Sequence, residues 1–114
     1  MCSSDLALDS EVFTVLRAAG DQQAAEGDLE GGVAAYEQLL DRLTATRPNT
    51  LGDLRNAAKL SVFYRALARL YLRAAKPVQA EKIAARRLEM WRHWEHKLPG
   101  NPFVLRQLAA TDDD

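Results

Sequence analysis

The chain has 114 residues, 47% of them hydrophobic and 27% charged, with a formal net charge of −1. That is material for one modest core and not for two; the composition excludes a disordered tail, and no apolar run approaches the ~20 residues of a membrane span. The single cysteine, Cys2, excludes an internal disulfide and a multi-thiolate metal site.

Residues 1–6, Met-Cys-Ser-Ser-Asp-Leu, match the translation of a GTG start followed by TGC TCT TCC GAT CT, the end of a widely used short-read sequencing adapter. They are read as an artefact heading a truncated metagenomic frame, so fold reasoning starts at residue 7. No basic n-region leads into an apolar h-region, and the expected compartment is the cytoplasm.

The elements follow from apolar spacing and from the residues that stop helices. Ser10 can cap a first helix to about Glu26, where Gly27 supplies a left-handed stop and Asp28 caps the next. In that second helix Val33, Tyr36, Leu40 and Leu43 keep helical spacing, and Pro48 ends it near Arg47. Thr50 and Asp53 stand in capping-box spacing and open a third helix. Leu60, Phe63, Tyr64, Leu67, Leu70, Tyr71 and Ala74 form its buried stripe. Lys76-Pro77 breaks it, with Pro77 as first residue of a fourth helix to about Lys97. There Ala84, Leu88 and Trp91 are expected to face the core, and Trp94 to cover a cap around Phe103. Leu98-Pro99-Gly100 closes that helix, Asn101-Pro102 starts a short last one to about Ala110, and 111–114 form a solvated acidic end. Nothing reads as a strand, so the class is all-α, built of antiparallel helical hairpins.

The two hairpins repeat at a spacing of 48 residues, from Leu16 to Tyr64. Leu16, Ala19, Gly20 and Gln23 fall opposite Tyr64, Leu67, Ala68 and Tyr71; Gly32 and Tyr36 fall opposite Ala80 and Ala84. Small residues at Gly20, Gly32, Ala68 and Ala80 would let paired helices approach closely, and Ala80→Leu should overpack that contact. The pattern over 13–97 resembles the tetratricopeptide repeat, which has a large residue, Leu-Gly and Tyr on its first helix and Ala and an aromatic on its second. The period exceeds the usual ~34 residues, similar to the longer-helix branch of the family. The resemblance implies a stacked solenoid with repeats at about 10–48 and 50–98, closed by a cap at 101–110. The run from Leu88-Glu89-Met90-Trp91 into Leu98-Pro99-Gly100-Asn101-Pro102-Phe103 also resembles C-terminal repeats attached to bacterial serine/threonine protein kinases. No Gly-rich phosphate loop, His-Arg-Asp or Asp-Phe-Gly motif is present in this chain.

The near-zero net charge conceals polarity. Through residue 54 the chain has three basic and ten acidic residues; over 55–111 it has twelve basic and three acidic. Arg65, Arg69 and Arg73 recur at i, i+4, i+8 on one side of the third helix. The resemblance places Arg65 and Arg69, with Arg17 and Asp21 of the first repeat, on the concave groove that in some family members holds a peptide carboxylate. Arg17, Asp21, Arg65, Arg69 and Arg73 are therefore the candidate contacts to a protein or acidic peptide; an ordinary solvated face is the competing reading. Two repeats alone bury few faces against neighbours, which makes self-association a second expectation.

Other chemistry finds little footing. His93, His96 and Glu89 could bind a divalent metal only weakly without a third strong ligand, so neither a metal nor a cofactor is expected. Trp91 and Trp94 beside basic residues could stack on bases, but the acidic half would repel nucleic acid, so none is expected. No acid, base and nucleophile are paired by spacing. The expected function is a non-catalytic interaction or scaffolding module, or alternatively a structural or dimerising cap of a kinase.

Overall fold

In a computed structural model that describes residues 11–46 and 54–113, and side chains over 13–43 and 54–110, the chain forms five helices and, among those residues, no strand. They are α1 (Glu11–Ala25), α2 (Leu29–Thr46), α3 (Leu54–Arg73), α4 (Pro77–Lys97) and α5 (Pro102–Asp113). The adapter-like residues and the expected caps at Ser10, Thr50 and Asp53 lie outside the described residues.

Helix ends follow local chemistry. After α1, Gly27 adopts φ 95°; its N–H donates to the Ala24 carbonyl at 3.1 Å, and that of Asp28 to the Gln23 carbonyl at 2.9 Å. This pair of bonds is a Schellman closure. The Asp28 carboxylate then accepts from the Gly31 N–H at 2.9 Å, capping α2. The same closure recurs 48 residues later: Ala75 takes φ 61°, its N–H donates to Leu72, and that of Lys76 to Tyr71 at 2.8 Å. α3 thus ends at Arg73, short of the Lys76-Pro77 break, because an alanine has been driven into the left-handed region. Pro77 is the first residue of α4. Asn101 Oδ1 accepts from the N–H groups of Phe103 and Val104 at 2.9 and 3.2 Å, so it caps α5. That helix runs past Ala110 to Asp113, since no Gly or Pro intervenes to stop it.

Helices α1 and α2 form one antiparallel hairpin, α3 and α4 a second, and α5 packs on α4. The first crossing is as close as its glycines allow: a Cβ on Gly32 would lie 3.0 Å from the Gly20 carbonyl oxygen and from Ala24 Cβ. Phe63, fully buried, joins the hairpins. Its ring lies 5.3 Å from that of Tyr36, stacked, and 5.6 Å from that of Phe13. The Tyr71 hydroxyl donates to Glu37 at 2.7 Å and Lys76 pairs with Glu30 at 3.6 Å across the same joint.

The expected α3 stripe is buried or half-buried throughout. On α4 the stripe is turned from the expected one: Ala80, Ile83, Arg87, Met90, Trp91 and Trp94 are buried, whereas Ala84 is exposed. A pattern that counts arginine as polar misplaces that face by about one residue. The ring that meets Phe103 edge-on, at 5.9 Å, is that of Trp91.

Ala75→Gly should stabilise the chain by about 1 kcal/mol, because relief of left-handed strain outweighs the added freedom of the unfolded chain. Gly27→Ala should cost a similar amount. Urea unfolding followed by circular dichroism reads both.

Candidate functional site

The sequence-derived candidates fall into two hollows. Arg17 and Asp21 line one of about 470 Å³ between α1 and α3, with Phe13, Thr14, Lys59 and Val62. Both act on Tyr36: Arg17 Nε donates to its hydroxyl at 3.2 Å, and that hydroxyl donates to Asp21 Oδ1. Their arrangement therefore fixes the buried ring that stacks on Phe63, which accounts for these two residues structurally.

Arg65 and Arg69 stand apart from that pair. They line a hollow of about 240 Å³ between α3 and α4, with a floor of Tyr64, Ala68, Leu72, Pro77, Ala80 and Ala84. Arg73, one turn on, lines neither. Ala80, on the wall of this hollow, is itself buried between α3 and α4.

Arg87 also lines the α3–α4 hollow and was not among the sequence-derived candidates. It is 5% exposed, and its Nε donates to Ser61 Oγ at 2.9 Å. Trp91 Nε1 donates to the same oxygen at 2.9 Å. A buried arginine is costly unless its donors find acceptors, and here a buried serine accepts one edge of the guanidinium and orients it. The signal lay in the repeat: the residues 48 earlier are Phe13, Leu39 and Leu43, all buried, so Ser61, Arg87 and Trp91 occupy core positions. Three arginines against one carboxylate, Glu81, give the hollow a positive character. Its geometry suits a carboxylate held by charge-assisted bonds beside an apolar side chain.

No protein-family model, curated protein or solved structure matches this chain.

Elsewhere the side chains carry less. Among the described residues no three His, Cys, Asp or Glu gather as metal ligands, and no helix is long and apolar enough to cross a membrane. Trp94 is buried, meets His93 edge-on at 6.1 Å and lies under Lys97 Nζ at 5.1 Å, a cation–π contact.

All three tyrosines, Tyr36, Tyr64 and Tyr71, have raised pKa values. Burial is the main cause in each. For Tyr36, pushed up to about 12, the bond to Asp21 adds to it and Arg17 opposes it. The Tyr71 shift is reinforced by the bond to Glu37; Arg86 opposes that of Tyr64.

Two outcomes follow. Ser61→Ala should destabilise the chain by roughly 2–4 kcal/mol in urea unfolding, since two buried donors lose their acceptor. Alkaline titration should give less tyrosinate absorbance at pH ~10 than three free tyrosines would, each of which is half ionised there. A raised folded pKa means that this stabilisation is complete below pH ~10 and is lost as pH climbs through about 12. Tyrosinate should therefore appear together with loss of helix.

Proposed function

We propose that the chain is a non-catalytic protein-interaction module of the tetratricopeptide type, which docks an acidic segment of a protein in the α3–α4 groove. The observation that carries the reading is the conjunction at that groove: Arg65 and Arg69 on the rim, buried Arg87 in the wall and an apolar floor between them. Ionic groups supply orientation and on-rate, and the floor supplies area removed from water. The tetratricopeptide part of the proposal is supported by the 48-residue register, in which the first helix of each hairpin ends in the same backbone closure, at Gly27 and at Ala75. It is supported too by the glycines at the first crossing.

The test is fluorescence anisotropy with a labelled peptide in which Leu and Phe alternate with pairs of Glu. Arg65→Glu with Arg69→Glu should weaken binding roughly 100-fold, two charge-assisted contacts at about tenfold each. Helix content by circular dichroism should be unchanged, as both side chains are exposed. Arg106→Glu, exposed on α5, is the control and should have little effect. Equal affinity in the double variant and the parent would remove this groove from consideration.

A further inference from the structure

We infer that the occupant of the α3–α4 groove is the first hairpin of a second copy of this chain, so that copies associate head to tail. The inference rests on reading that groove as a protein-docking surface, and it names the partner.

The charge distribution carries the argument. Residues 11–46 hold seven acidic and two basic side chains, and residues 54–97 hold eleven basic and three acidic. Each chain therefore presents a negative hairpin and a positive one, and two copies attract when the first of one meets the second of the other. Within a single copy, one such ion pair already joins the hairpins, Glu30 with Lys76, beside the hydrogen bond from Tyr71 to Glu37.

The outer side of the first hairpin has the shape required. Val15, Ala19 and Gln22 recur at i, i+4 and i+7 on one face of α1, with Glu26 just past its end at i+11, and all four are exposed. Val15, a β-branched knob, is 64% exposed. The stripe leads to an acidic hairpin tip, where Glu26 and Asp28 are exposed; Glu30, also at the tip, is paired with Lys76 of the same copy. The receiving groove offers Leu72 and Ala84, with Val78 beside it, all exposed and apolar, and arginines along its rim. Because the two surfaces differ and lie on different hairpins, the contact is heterologous and leaves a free surface of each kind at the ends of the assembly.

Sedimentation equilibrium of the full chain tests this. At low salt the mass should rise above the 12.7 kDa monomer with concentration and return toward it at high salt, where surface charges are screened. The variant Arg65→Glu with Arg69→Glu and the variant Val15→Arg should each be monomeric alone. Mixed in equal amounts they should form a dimer, since each keeps the surface the other has lost, and this complementation shows that both fold. A parent chain that stays monomeric at low salt, a variant that still associates alone, or a mixture that stays monomeric overturns the inference. If the parent is monomeric yet binds the acidic peptide through Arg65 and Arg69, only the second-copy occupant falls. If it does neither, the docking groove falls with it.

Discussion

The structure depends on one ring. Phe63 leaves α3 and enters the first hairpin between Phe13 and Tyr36, with no exposed surface of its own. Everything else at the joint is arranged around it. Tyr36 can present a flat face to Phe63 only because Arg17 and Asp21 hold its hydroxyl at the far edge. The close approach of α1 to α2 at Gly20 and Gly32 brings Phe13 and Tyr36 near enough to receive a single ring from both sides. Burial of an aromatic side chain contributes on the order of 2–3 kcal/mol, so this contact is large against the small net stability of a chain this size.

The second hairpin solves the same geometric problem with different chemistry. Where the first buries Phe13, Leu39 and Leu43, the second buries Ser61, Arg87 and Trp91 at the same register. The apolar version needs only volume. The polar version needs every donor matched, and one serine oxygen accepts from both partners at 2.9 Å. Such a triad adds little net stability over an apolar core but is strongly sensitive to loss of one member. It also holds a cation at the edge of a groove, which a leucine at the equivalent position of the first hairpin cannot do.

This difference marks how far the fold and the candidate site were legible from residues alone. The helices, their proline and glycine stops and the α3 stripe follow from periodicity and backbone preference, which are local. The rotated stripe of α4 does not, because whether Arg87 points inward depends on a serine 26 residues earlier. Ala75 illustrates the same limit from the other side. Nothing about alanine favours φ 61°, and the closure there follows from helix geometry and from Pro77, which disfavours helical backbone at Lys76. Of the five candidate residues, Arg65, Arg69 and Arg73, which spacing put on one side of the third helix, are exposed there. Spacing could not reveal that Arg17 and Asp21 were engaged with Tyr36, a residue on another helix.

Beside the open groove the two hairpins differ in register as well. In the first hairpin the position on α2 that receives Phe63 is Tyr36, and 48 residues on it is Ala84. The residue 48 after Phe63 is Thr111. Of the aromatic pair that seals the joint between α2 and α3, Tyr36 thus has Ala84 on α4 as its counterpart, and Phe63 has Thr111 in α5. α5 packs instead near the other end of α4, where Phe103 meets Trp91 and Val104 is fully buried. On the first half of α4, Pro77 and Ala84 are left exposed with Leu72 of α3, beside half-buried Tyr64 and Ala68, as an apolar floor. An apolar surface stays in water only at a cost in free energy, and the arginines around this one bias what can relieve that cost toward an acidic surface. Because α5 covers only the other end of α4, the surface left open between α3 and α4 is the one that carries Arg65, Arg69 and Arg87.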